Sequence, residues 1–441
     1  MSLAARVAVF GACAVLAVRA QDFEWYTAEL GARHVVLVWG FPSEPGNSIG
    51  RGARSFGAAR VTVGDKQIRT SQPWLRIGEL APDREYEYKI ELAGGHTGTG
   101  RFRTWPERAD RLTFLAFGDW GNGSRSQREL ASVIARTVKE CERQGDPVRF
   151  ILSTGDNIYS TIPGVLKTNS GDRDRHWVSK FFQPYREVIR SVPFYPVLGN
   201  HDGNEAESRG DLEVYLDNFF FPGGEPARYY SFRFAELAEF FALDTTANTL
   251  SGPPRRDVGP QSPQTLWLRE ALKRSPAPWK IPFFHHPPFN AGPRHHREPN
   301  ERLLAHWLDL FQEAGVRVAF HGHEHNLQWS EANARSRGIR FVITGAGGEL
   351  RTAGVNANMR AANIAAFAAQ VHFLLVRIEG RRMTIQPVST GPIRVTDPDG
   401  RAVALPLTVE LGPLHGRASD FDPVHAGTGD AARARHPAGG H

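Results

Sequence analysis

Five short motifs in this 441-residue chain carry side chains able to hold metal ions, and each directly follows an apolar run. In chain order they are Gly118-Asp119-Trp120-Gly121, Gly155-Asp156-Asn157-Ile158-Tyr159, Gly199-Asn200-His201-Asp202, His285-His286-Pro287 and Gly322-His323-Glu324-His325. Hard oxygen donors gathered with imidazoles suit a pair of cations that hold a phosphate group and a nucleophilic hydroxide. A Gly-Asp pair alone is an ordinary turn, and one histidine is ordinary packing. Five such motifs, each closing a strand-like run, point to a single site.

The elements that must deliver these side chains are compact strands. Leu112 to Phe117, Val148 to Ser153, Phe194 to Leu198, Phe240 to Leu243, Ile281 to Phe284 and Val316 to Phe320 read as strands of sheets covered on both faces. Phe341 to Thr344 and Phe373 to Ile378 supply later ones. Open α/β sheets build sites in the loops beyond strand carboxyl ends, which is where the motifs fall. Between the strands, helices are predicted over Ser126 to Glu142, after the Ser262-Pro263 cap, and over Asn300 to Ala314. From Asp22 to Pro106 the texture differs: His34 to Trp39, Ala59 to Val63 and Tyr86 to Ile90 alternate as strands of an all-β sandwich. The stretch from Leu80 to Tyr88 resembles the corner of fibronectin type III domains, where a tyrosine hydroxyl bonds upstream backbone, and Phe102 to Pro106 resembles the closing strand.

The ordered motifs resemble the calcineurin-like metallophosphoesterases and, within them, the purple acid phosphatases, over nearly all of residues 22–400. Tyr159 is the sharpest element, because general members of the superfamily lack it and carry a histidine where this chain has Trp120-Gly121. The resemblance implies an N-terminal fibronectin type III-like sandwich (22–106) followed by an α/β metallophosphoesterase domain (107–400) of two packed mixed sheets flanked by helices. It also implies a dinuclear centre. Asp119, Tyr159 and His325 would bind Fe3+, Asp156 would bridge, and Asn200, His285 and His323 would complete a second site for Zn2+, Mn2+ or Fe2+. His285 is preferred to His286 because the family's ligand precedes one variable residue and then proline. A metal-bound hydroxide would attack phosphorus while His201 binds phosphate and protonates the leaving oxygen. His295 and His296 are both candidates for a further contact to substrate.

Other motifs read more plainly. Gly345-Ala346-Gly347-Gly348 is taken as a turn, Asp202 as a hydrogen-bonding partner of a ligand or a helix start, and Asp244 as structural. Asn122-Gly123-Ser124 is a glycosylation sequon.

Residues 1–20 form a secretory signal: Arg6, an apolar stretch from Val7 to Val18, then Val18-Arg19-Ala20. The run is shorter than the ~20 residues of a spanning helix, so no membrane anchor is predicted. Its removal takes away Arg6 and Arg19 and no acid, lowering the formal charge from +6 to +4, too diffuse for nucleic-acid binding. Cys141 then remains alone, so no internal disulfide is possible. Residues 413–441, rich in Gly, Ala, His and Arg, are expected to form a flexible tail. The functional expectation is a secreted or periplasmic phosphatase acting on small phosphate monoesters. A phosphodiesterase for nucleotides or lipid head groups is the alternative, and a binding protein built on the β module stands third.

Overall fold

The computed structural model describes residues 23–42, 57–159, 177–202, 213–222, 227–246 and 258–412; the expected signal segment and tail lie outside them. The alternating N-terminal stretch forms β1 (Glu24–Leu30), β2 (Val35–Gly40), β3 (Ala59–Val63), β4 (Lys66–Thr70), β5 (Trp74–Ile77), β6 (Glu85–Leu92) and β7 (Thr97–Arg103). They pair antiparallel as β1-β2-β5 and β4-β3-β6-β7, the three-on-four arrangement of a fibronectin type III-like sandwich. In β6, Tyr86, Tyr88, Ile90 and Leu92 point inward while Glu85, Glu87 and Lys89 face solvent, the period-2 pattern of a half-covered sheet. The Tyr86 hydroxyl accepts the Ala81 N–H at 2.8 Å, which is the expected corner bond. The closing strand ends at Arg103, before Trp105. Trp105 instead packs against Phe150 and Phe234, in the part of the chain that follows the sandwich.

That following part contains β8 (Arg111–Phe117), β9 (Val148–Ser153), β10 (Phe194–Pro196), β11 (Tyr230–Phe234), β12 (Ala238–Ala242), β13 (Trp279–Phe283) and β14 (Val318–His321). It continues through β15 (Leu327–Ser330), β16 (Arg340–Thr344), β17 (Ile364–Ala368), β18 (His372–Glu379), β19 (Arg382–Ser389) and β20 (Leu407–Glu410). The strands make two mixed sheets, β10-β9-β8-β18-β19-β20 and β11-β12-β13-β14-β16-β15-β17. The sheets meet through aromatic rings. Phe240 lies 5.3 Å from Phe114 and 5.0 Å from Phe150, centroid to centroid, both edge-to-face. Each such buried phenylalanine contributes roughly 1.5–3 kcal/mol of apolar burial. Because β8 runs parallel to β9, and β13 to β14, loops leaving their carboxyl ends converge.

Helices cover the outer faces. Arg125–Arg143 is capped by Ser124, whose hydroxyl accepts from Gln127 N at 3.1 Å, and Pro263–Arg274 by Ser262, accepting from Thr265 N at 3.2 Å. The single helix expected over 300–314 is two, Asn300–Leu303 and Ala305–Glu313. Leu304, with φ −97° and ψ 5°, interrupts it, and Trp307 is anchored beyond the break by its Nε1–H to Thr265 Oγ1 at 2.8 Å. Cys141 is a free, buried thiol.

A polar seam joins the sandwich to the second part. The Tyr88 and Thr27 hydroxyls donate to the Arg190 carbonyl at 2.8 and 3.0 Å, Tyr26 donates to the Asn218 carbonyl, and fully buried Glu24 pairs with Arg186.

Candidate metal centre

The loops after β8, β9 and β14 carry their donors on unusual backbone. Asp119 (φ 57°), Asp156 (φ 51°) and His323 (φ 72°) are all left-handed, a conformation costing of order 1–3 kcal/mol for such residues. Interlocking bonds hold them there: Asp119 N donates to Gly155 O at 2.9 Å, His323 N to Asp119 Oδ2 at 3.0 Å, and His201 N to Asp156 Oδ1 at 2.8 Å. Gly155 must be glycine, since its φ is +94° and a Cβ there would lie 2.6 Å from His285 Nδ1.

The side chains gather as two groups of three. In one, the Tyr159 hydroxyl is 3.1 Å from both Asp119 Oδ1 and His325 Nε2, and those two are 3.4 Å apart. In the other, Asn200 Oδ1 is 3.1 Å from His285 Nε2 and 3.0 Å from His323 Nδ1. Asp156 stands between, its Oδ1 3.5 Å from His285 Nε2, and donor atoms of Asp119, Asp156 and His285 all lie within 4.8 Å of one another. The seven predicted donors are thus brought to one buried place.

Electrostatics fit cations. Burial opposes the Asp156 charge, but His285 and His201 outweigh it and hold the carboxyl well below its ordinary value. Burial, then the Asp119 and Asp156 carboxylates, push the Tyr159 phenol well above its ordinary value. A phenolate there therefore needs compensating positive charge, which a metal ion supplies.

Three predicted histidines surround the donors. The His201 ring lies 4.5 Å from that of Tyr159, and among the described residues its ring nitrogens have no hydrogen-bond partner. The His295 ring lies tilted against that of His323, 3.9 Å between centroids, whereas His296 Nδ1 is bound to the Gly292 carbonyl at 2.9 Å. Both line a cavity of about 150 Å³ with Glu298 and Asn300. His286 Nδ1 lies 2.9 Å from the Thr245 hydroxyl, and its ring is 4.3 Å from His323.

Two residues of the site carry no signal in the sequence. Glu298 accepts from His323 Nε2 at 3.0 Å and from His295 Nδ1 at 2.6 Å, so it orients the His323 ring with Nδ1 toward Asn200. Buried Lys180 donates to the Tyr159 carbonyl at 2.6 Å from a single π-helical turn, Val178–Phe182. Asp202 accepts from the Gly199, Asn157 and Ile158 N–H groups at 2.9–3.2 Å, tying two donor loops together. Asp244 pairs with Arg228 at 2.6 Å and is structural, as expected. The Gly345 to Gly348 segment is more than a turn: a Cβ at Gly345 would lie 2.9 Å from Asp119 Oδ2, and one at Gly347 2.6 Å from Gly118 O.

Residues 112–327 match the family model of calcineurin-like phosphoesterases. Purple acid phosphatase 17 of Arabidopsis thaliana is 30% identical over 272 residues, spanning 57% of this chain and 73% of the relative. Tartrate-resistant acid phosphatase type 5 of Rattus norvegicus is 29% identical over 261 residues, spanning 54% and 73%. In fold, a purple acid phosphatase from yellow lupin (Lupinus luteus) seeds superposes with TM-score 0.60 at 15% identity, covering 86% of this chain and 72% of that one. PhoD gives 0.61 at 14%, covering 86% and 91%. Fold and site define a metallophosphoesterase. The chain belongs to the purple acid phosphatase family and is a metal-dependent phosphatase. Family membership and the donor set together imply a dinuclear metal centre.

Proposed function

We propose that this protein is an exported purple acid phosphatase that hydrolyses small phosphate monoesters. The observation carrying this reading is the meeting of two donor triads at Asp156, one of them containing the Tyr159 hydroxyl. Asp119, Tyr159 and His325 would hold Fe3+, since phenolate and carboxylate are hard anionic donors, and Asn200, His285 and His323 would hold Zn2+, Mn2+ or Fe2+. Asp156, whose carboxylate stands between the two groups, would serve both. When bound, the cations supply positive charge that polarises the phosphoryl oxygens and acidifies the attacking water.

The chain's own residues do the rest. His201, partner-free among the described residues and tilted against the Tyr159 ring, binds a phosphoryl oxygen and protonates the leaving oxygen. Burial holds its imidazole below the ordinary value and Asp156 opposes that; the phosphate dianion adds the negative charge that keeps the proton on. His295, held by Glu298, is the better placed of the loop pair to touch phosphate. Residues 22–106 serve as a structural module and 107–400 carry the chemistry. The segment 1–20 directs export, and among the described residues no helix is long and apolar enough to cross a membrane.

PhoD and the lupin enzyme superpose on this chain almost equally well, at TM-scores of 0.61 and 0.60, so fold alone does not choose which phosphate ester is cleaved. Metal analysis and a visible spectrum of protein purified without chelators, with p-nitrophenyl phosphate and its bis-ester as substrates, test the reading. A colourless protein containing two zinc ions at full activity refutes the iron–tyrosinate claim, and preferential diester turnover refutes the monoesterase claim.

A further inference from the structure

The Gly345 to Gly348 segment threads between the Asp119 loop and the His323–His325 loop so closely that its glycines admit no side chain. At Gly348 a Cβ would lie 2.7 Å from the Trp120 carbonyl. What this segment delivers is Glu349-Leu350-Arg351. Arg351 is fixed by its backbone: its N–H donates to the His325 carbonyl at 2.8 Å, and its carbonyl accepts from Asn326 Nδ2 at 2.8 Å. Its guanidinium has no hydrogen-bond or ion-pair partner among the described residues. Burial pushes the Tyr159 phenol and the Glu324 carboxyl upward, and the Arg351 charge is near enough to oppose both. Neighbouring Glu349 lies 3.7 Å from His325 Nδ1, and Leu350 keeps 40% of its surface exposed. Arg351 thus springs from backbone tied to the His323–His325 loop, with an exposed apolar side chain beside it.

We propose that Arg351 forms an anion subsite for the leaving group, taking a second anionic group, carboxylate or phosphate, carried by the ester being cleaved. This rests on the phosphatase reading above. In that hydrolysis the bond between phosphorus and the leaving oxygen breaks, water supplies the new oxygen on phosphorus, and the leaving oxygen keeps the bonding pair and takes up a proton. A guanidinium suits the task because its planar donor fork matches carboxylate and phosphate oxygens two at a time.

The test compares kcat/KM of the metal-loaded protein and its Arg351→Gln and Arg351→Lys variants on 4-carboxyphenyl phosphate and on the uncharged 4-carbamoylphenyl phosphate. Adenosine diphosphate serves as the phosphate-bearing probe. In Arg351→Gln the preference for the charged over the uncharged aryl ester falls about tenfold, chiefly through KM, and Arg351→Lys restores part of it. Whichever of the carboxylate and diphosphate probes loses more identifies the group that is read. An unchanged ratio in Arg351→Gln overturns the subsite while leaving the phosphatase reading intact. Equal losses on both aryl esters overturn it too, since Arg351 would then act on the centre itself. Wild-type protein that cleaves none of the three overturns the phosphatase reading, and the subsite with it.

Discussion

Removing the Asp202 carboxylate tests whether the donor loops are held by one buried anion. Its oxygens meet four donors: the N–H groups of Gly199, Asn157 and Ile158 and the Asn157 side-chain amide at 2.9 Å. Burial and then Asp156 push the carboxyl up to about 7, against the three backbone N–H groups that hold it down. Every contact is a donor and none an acceptor, so the pocket is shaped for the ionised form. Asp202→Ala leaves four donors without an acceptor. At ~1 kcal/mol each, the low end for a stranded buried group, the loss is about 4 kcal/mol, a large share of the 5–15 kcal/mol typical of a folded domain. Asp202→Asn keeps the shape but turns an amide N–H toward donors, and is expected to cost roughly half as much. The assay is denaturant unfolding followed by tryptophan fluorescence, with metal content measured on the same samples. Since Asn157 adjoins Asp156, and Gly199 adjoins Asn200, metal retention should fall with stability. An Ala variant with unchanged midpoint and full metal would refute the clamp.

The other predictions concern charge and proton. Asp156→Asn removes the anion between the two triads, so metal affinity should drop by ~10-fold or more and most aryl phosphatase activity should go; full turnover at unchanged metal content refutes the bridge. His201→Ala should lower kcat by ~10²- to 10⁴-fold with both metals retained, and a lost metal would make it a ligand instead. Tyr159→Phe keeps the ring beside His201 and removes the donor oxygen, so any visible band should vanish while the fold survives; a persisting band refutes its origin in Tyr159. Burial, opposed by a hydrogen bond to the Gln370 carbonyl, lowers the His372 pKa to about 4. The unfolded chain takes this proton first as pH falls, so stability holds above about 6.5 and declines by about 3 kcal/mol toward pH 4. The gap between urea midpoints at pH 7.5 and 4.5 should narrow in His372→Gln; an undiminished difference refutes the assignment.

Much of the centre is legible in the sequence because each donor follows its strand within a few residues, so local order carries spatial order. Asp119 after β8 and Asp156 after β9 come together since the parallel pairing of these strands puts both loops at one edge. The sandwich is legible for the same reason: β6 alternates, and Tyr86 lies five residues from its partner Ala81. What escapes is set by long-range pairing. Nothing near Glu298 announces that it will meet His323, and Lys180 reaches Tyr159 only through a π-turn. That β18 inserts beside β8, or that β15 lies between β16 and β17, follows from the closure of whole sheets. The break at Leu304 is likewise tertiary, because the 300–314 stretch has an unbroken helical apolar stripe.

The polar seam decides how this chain tolerates being cut. A fragment beginning after Pro106 would strand the Arg190 carbonyl without the Tyr88 and Thr27 hydroxyls and leave Arg186 without Glu24. It would also take Leu30 away from Tyr195, whose hydroxyl bonds both the N–H and the carbonyl of that residue. Tyr195 belongs to β10, the strand leading directly to the Gly199–Asn200 loop. Truncation at the front is therefore felt at the root of a loop that carries a candidate donor.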